Sequence, residues 1–215
     1  MQANRSAGFT LIELLIVVAI IGTLAAVFLP DIIGTKTQAN VTADSRNLAQ
    51  QYQWLQTAKA PNKLRRLPNE GGHKFLLELW TGNVVERSVQ NFDRFWTPGL
   101  DDPHKSALRE QLERGEKIWP DLASVSSMDT HYAARAKEYT RGCDQSSKEA
   151  LAANDNEGGI WAFSDGTVNI LWGDGSVRAL GLGQMESEYG HTGLDDVFKT
   201  YGPDSPHPAL QKLDK

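Results

Sequence analysis

From Gly8 to Pro30 the chain is apolar with a single charge, Glu13, and beyond Pro30 apolar positions thin out among polar ones. The run is about the length of a helical membrane span. A short leader with one basic residue, Arg5, precedes it. Between Asp31 and Ala60, the residues Val41, Leu48, Tyr52 and Leu55 recur at spacings of seven, four and three and make one helical stripe. Lys36, Gln38, Asn40, Asp44, Arg46 and Gln50 are assigned to the opposite, polar face. The pattern predicts one helix over residues 9–60. Its first part, 9–30, is transmembrane, and the stripe of its second part packs on a globular domain. Pro30 and Gly34 are its weak points, and Ala60-Pro61 ends it. Lys59, Lys63, Arg65 and Arg66 lie near that end, where positive charge complements the helix dipole.

The remaining pattern is broken into short pieces. His73–Thr81 reads as a helix with Phe75, Leu76, Leu79 and Trp80 on one face and Gly82 after its end. Ser88–Arg94 reads as a second short helix. Asp102 as cap, Pro103 in the first turn and Gly115 as stop mark a third, with Leu108 and Leu112 inward. Asp129–Tyr132 leads into a strand or loop, and Lys148–Asn154 reads as a short strand. Val168, Ile170 and Trp172 alternate with Asn169 and Leu171, which predicts a strand with one buried face. Gly173-Asp174-Gly175 then supplies a tight hairpin turn into Ser176–Leu182. Gln184–Gly193 reads as loop, Leu194–Tyr201 as a turn or two of helix, and the Pro-rich 202–215 as a flexible tail.

Glu13 changes the meaning of the apolar run. A carboxylate inside such a span costs roughly 2.5–3.5 kcal/mol on insertion scales and normally has a partner. Cleavage after Gly8 would free the α-amine of Phe9 near Glu13. In a bundle of identical helices, Glu13 of one chain could pair with the amine of the next and set their stagger. Ala19, Gly22, Ala25 and Ala26 would let such helices approach closely. Gly8-Phe9-Thr10-Leu11-Ile12-Glu13-Leu14 resembles the processing motif of type IV pilins and type II secretion pseudopilins. The resemblance implies cleavage after Gly8 by a prepilin peptidase, N-methylation of Phe9, and a filament-assembly role for Glu13. It implies a bacterial inner-membrane, single-pass protein with its C-terminal domain periplasmic or extracellular. Its partners would be other pilin or pseudopilin subunits and an inner-membrane assembly platform. An ordinary secretory signal cut near Ala25 and Ala26, or a plain anchor, needs neither Glu13 nor Gly8-Phe9. The Gly173-Asp174-Gly175 hairpin is similar to one in a pilin-like group abundant in Planctomycetes. Ser164 stands where that group carries a His, so no role tied to that His is carried over.

The expected architecture is α+β and pilin-like: leader 1–8, helix 9–60, globular domain 61–201, and tail 202–215. The formal net charge of −5 gives no reason to expect nucleic acid. Cys143 is the single cysteine, so no internal disulfide is available, which favours a pseudopilin over an adhesive pilin. No nucleotide-binding, serine-hydrolase or zinc-protease motif occurs, and His73, His104, His131, His191 and His207 are scattered, so no enzyme is expected. Asp155, Glu157, Asp165 and Asp174 are candidate Ca²⁺ ligands in loops around the hairpin, but the Asp-x-Asp-x-Asp-Gly pattern is missing. No other cofactor is expected. The six tryptophans raise an alternative, a pilin-anchored surface module that binds glycans or secreted substrates. Without disulfides, most of them are expected in the core.

Overall fold

The computed structural model describes residues 10–141, 146–155, 163, 165–189 and 201–215, with the side chains of 27–34, 186 and 189 outside the description. The long helix α1 spans Leu11–Ala58 and is continuous through Pro30 and Gly34. The chain divides into two compact units, residues 1–39 and 40–215. In the first, Leu11, Ile12, Leu14, Leu15 and the apolar residues up to Leu24 are exposed. Among the described residues no helix is long and apolar enough to cross a membrane. The described side chains of the apolar run end at Ala26, short of the roughly 20 residues that a helical span requires. The 9–30 anchor therefore rests on the sequence alone.

The second unit is built on a five-stranded antiparallel sheet in the order β4-β3-β2-β1-β5. The strands are β1 (Tyr132–Arg135), β2 (Ala150–Asn154), β3 (Val168–Trp172), β4 (Val177–Leu180) and β5 (Leu213–Asp214). One core joins Leu48, Trp54, Leu55 and Ala58 of α1 to Tyr132, Ala134, Ala152 and Leu171 of the sheet. The other joins Ala133, Ala153, Val168, Ile170 and Trp172 to Met185 and Leu210. Along β1 and β3 adjacent residues go to different cores, as period-two alternation requires, whereas in β2 Leu151 and Ala152 share one core where the register shifts. The sheet is thus covered on both faces, and all five residues of β3 are buried, where one buried face was expected. Alanine fills much of β1 and β2. It is a poor strand former, but it takes little space between the packed layers.

Several local signals appear as read. Helix α2 is His73–Thr81. Gly82 follows it at φ −80°, so its need is spatial rather than conformational: a Cβ there would lie 2.7 Å from the Glu78 carbonyl oxygen. Helix α3 is Val89–Phe92, capped by Ser88 accepting from the Asn91 N–H, and a 3₁₀ turn continues to Phe95. Helix α4 is Pro103–Glu113, with Asp102 accepting from the His104 and Lys105 N–H groups. Leu108 and Leu112 are only partly buried against the core. At the hairpin turn Gly175 takes φ +84°, and a Cβ there would meet the Tyr52 ring at 2.5 Å. Tyr52 donates from its hydroxyl to the Gly173 carbonyl, so α1 and the hairpin turn clasp each other.

Four expectations are corrected. Asp44, assigned to the polar face of the long helix, is fully buried. The helix's inner stripe includes Val41, Asp44, Leu48, Gln51 and Leu55, and all five are buried. The strand after the hairpin turn ends at Leu180, and Leu182–Tyr189 is a helix, α5, rather than strand end and loop. The 202–215 segment is not a loose tail: Leu210–Lys212 form a 3₁₀ turn and β5 pairs antiparallel with β1. Leu210 and Leu213 are buried there, and this burial holds the segment despite its prolines. Residues 156–162, 164 and 190–200 lie outside the described residues, and so do the readings that fall on them.

Candidate functional site

At the start of α1 the local chemistry centres on Thr10 and Glu13. Thr10 donates to the Glu13 carboxylate from its N–H at 2.8 Å and from its hydroxyl at 2.7 Å. The Glu13 N–H donates back to the Thr10 hydroxyl at 3.3 Å. This is a reciprocal capping box, which satisfies donors left open at a helix start. Its sequence sign, Thr-x-x-Glu, stands at Thr10-Leu11-Ile12-Glu13 and was not used in the sequence reading. Glu13 thus has a local partner as well as its expected role between chains. Gly8 and Phe9 lie outside the described residues.

In the second unit, the sites proposed for metal do other work. Asp155 pairs with Lys215 at 2.5 Å. Asp165 accepts from the Thr167 N–H at 3.0 Å. Asp174 accepts from the Ser176 N–H and hydroxyl and sits below the usual carboxylate range because of them. The last two are turn contacts, the first a long-range ion pair, and among the described residues no group of three His, Cys, Asp or Glu could hold a metal. Glu157 and Cys143 lie outside the description. Trp54, Trp80, Trp96, Trp119 and Trp172 are all buried. Trp80 meets Phe92, Phe95 and Trp119 edge-on, and Trp54 stacks on Phe95 at 5.5 Å. They spend their rings on the core rather than on sugar.

His131 and His104 also serve packing. His131 meets Asp102 at 2.7 Å and His104 meets Asp129 at 2.8 Å, with Trp96 edge-on to His131. Burial lowers the His131 pKa, against the pull of Asp102. Burial works to raise Asp102, but His131 and the N–H groups of Lys105 and His104 outweigh it and hold it low.

The one fully buried carboxylate is found at Asp44 among the described residues. It accepts from the Tyr132 hydroxyl at 2.5 Å, Asn154 Nδ2 at 2.9 Å and Asn169 Nδ2 at 2.8 Å. These donors come from β1, β2 and β3. Asn169 also donates to the Val41 carbonyl, and the Asn154 side-chain oxygen accepts from the Asn169 N–H. Burial pushes Asp44 up to about 6, although Tyr132, Asn169 and Asn154 all pull it down. The same burial, with Asp44 beside it, raises the Tyr132 phenol. The network ties α1 to three strands, and it has the character of a structural tie: every oxygen of Asp44 is committed within the fold. An ion cluster, Arg135 of β1 and Lys212 of the turn before β5 on Glu149, fastens that turn to the residue preceding β2.

No curated protein and no solved structure matches the chain. The prokaryotic N-terminal methylation motif does match, over residues 3–29. Such a motif is typical of structural pilin-type subunits, and it implies processing by a prepilin peptidase and assembly with other pilin-type subunits. The chain carries the N-terminal methylation signal of type IV pilins and pseudopilins.

Proposed function

We propose that the chain is a structural subunit of a type II secretion pseudopilus or a type IV pilus-like filament. It is cut after Gly8, methylated on Phe9 and held in the bacterial inner membrane by residues 9–30 until an assembly platform extracts it. The observation that carries this reading is the methylation motif over residues 3–29. The exposed apolar surface from Leu11 to Leu24 supports it, since such a surface needs lipid or neighbouring helices. The burial of the described tryptophans weighs against the glycan-binding module. The deciding experiment is the mass of the N-terminal peptide from membranes of the native host. A peptide that begins with N-methylated Phe9 is expected. One that begins near Val27, or at Met1, would sink the filament reading.

The capping box adds a test of Glu13. Glu13→Ala removes both charge and cap, and Glu13→Gln removes the charge but keeps a cap acceptor. Loss of the cap alone is worth about 1 kcal/mol at the helix start. If charge pairing with a neighbouring chain drives assembly, both variants insert and are cleaved but enter filaments poorly. Filament incorporation of Glu13→Gln at the unmutated level would show that only the cap matters.

A further inference from the structure

Two triplets, Asp102-Pro103-His104 and Asp129-Thr130-His131, repeat one pattern along the chain and pair crosswise in the fold. His131 Nε2 meets Asp102 Oδ2 at 2.7 Å, and His104 Nε2 meets Asp129 Oδ1 at 2.8 Å. The two pairs join α4 to the 3₁₀ turn Ser127–Asp129 and to the residue before β1. Helix α4 has no fully buried residue of its own. Its other ties are Lys105 and Arg109 on Asp93, at 3.6 and 3.1 Å, and the partly buried Leu108 and Leu112. We propose that the His131–Asp102 contact is an acid-sensitive latch, in which protonation of His131 opens the wall that α4 makes beside it.

The two imidazoles differ in where an added proton would go. The His104 side chain is 40% exposed, so its ring reaches water. The His131 side chain is 15% exposed, and its Nδ1 is buried with no hydrogen-bond partner. While Nε2–H donates to Asp102, neutral His131 keeps only a lone pair at Nδ1. Protonation would place an N–H there without an acceptor, which is costly for a buried donor. Trp96 packs against the ring with centroids 4.9 Å apart and keeps that side closed. The charges around His131 do not remove the conflict. Asp102 and Asp155 favour the proton, Lys215 opposes it, and Lys215 is itself paired with Asp155. Asp129 acts on His104 and His73 instead. Burial prevails, and His131 lies below the usual histidine range. The backbone of His131 is fixed: its N–H donates to the Phe95 carbonyl, and its carbonyl accepts from the Asp155 N–H. The first turn of α4 buries no residue, so it is the side that yields and lets water reach Nδ1. The closed form thus holds the proton more weakly than the open form. The latch is shut above an ordinary histidine pKa of about 6.5 and loosens as pH falls through it.

Hydrogen exchange of the full-length protein in detergent micelles at pH 7 and pH 5, corrected for intrinsic exchange rates, reads the latch. At pH 5 a free imidazole is protonated by about thirty to one, which sets the ceiling of the effect. Amides of residues 104–113 should exchange about tenfold faster at pH 5, while those of α2 keep their protection. His131→Gln keeps a donor for Asp102 but takes no proton, so its α4 should be equally protected at both pH values. His104→Gln should respond to pH as the unmutated protein does. Protection of α4 that ignores pH in the unmutated protein would overturn the proposal, and so would a response that survives in His131→Gln. Should His131→Gln fail to fold, the titration of His131 followed by NMR in the unmutated protein decides. A midpoint below about 6.5 that coincides with the α4 response supports the latch, and any other result overturns it.

Discussion

Replacing Asp44 with Leu is expected to cost the globular region about 3–9 kcal/mol, because three buried donors lose their acceptor at about 1–3 kcal/mol each. Tyr132, Asn154 and Asn169 are those donors. A loss of that size rivals the whole stability of a domain, about 5–15 kcal/mol. Asp44→Asn behaves differently. Its oxygen can still accept from both asparagines, and its amide can donate to the Tyr132 oxygen. The Tyr132 proton then turns to Asn47 or Thr97, both within its hydrogen-bond network. The charge, however, is gone, and this has a pH signature with a definite sign. Burial raises Asp44 from 3.8 to about 6 in the folded protein. The folded state therefore holds this proton more tightly than the unfolded chain. The stability it contributes is fully present below the unfolded value and is lost as pH rises through the folded one. The swing is about 3 kcal/mol, at about 1.4 kcal/mol per unit. Urea unfolding of both proteins between pH 4 and 7 measures it. The wild type should lose ground to Asp44→Asn as pH rises and then run parallel to it above pH 6. A constant difference across that range would mean that Asp44 does not titrate in the fold.

Deleting residues 210–215 is expected to be nearly as damaging. The deletion removes two buried leucines, Leu210 and Leu213, worth about 1.5–3 kcal/mol each. It also removes the pairing of Ala134 with Asp214 and of Arg135 with Leu213, and the bond from the Ala136 N–H to the Lys212 carbonyl. Glu149 keeps Arg135 but loses Lys212, and Asp155 loses Lys215. The total is on the order of 4–6 kcal/mol. The uncovered edge of β1 becomes a template for pairing with other chains. Size-exclusion chromatography should show association, and hydrogen exchange should speed up at β1. A truncated protein with wild-type exchange and elution would mean that the segment is a loose tail after all.

The sequence was most legible where the determinants are local. Asp102-Pro103 and Gly173-Asp174-Gly175 each act within a few residues, and α4 and the hairpin follow from them. Legibility failed where the determinant lies far along the chain. Asp44 was placed in solvent because it is charged, although its spacing from Val41 and Leu48 puts it on the inner stripe. Only Tyr132, Asn154 and Asn169, 88, 110 and 125 residues away, explain how a carboxylate can stay there. Strand β1 was obscured by its alanines, which suit a sheet covered on both faces but say little about it in isolation. Strand β5 was obscured by the prolines before it. At the N-terminal signal the opposite held. Gly8, Phe9 and Glu13 were readable as a motif, and the capping box of Thr10 and Glu13 shares its acid with it.

The long reach of the Asp44 network has a consequence in time. Helix α1 leaves the ribosome first, and its inner stripe waits for β3. At about 5–20 residues per second, the 125 residues between Asp44 and Asn169 take roughly 6–25 s to make. Through that interval the helix carries Val41, Leu48 and Leu55 without their sheet, and Asp44 stays hydrated and charged. The last contacts to form are those that allow this acid to be enclosed. Until then the nascent chain carries one charge on an otherwise largely apolar stripe, and the carboxylate that is costly in the fold keeps that stripe hydrated while the helix is alone.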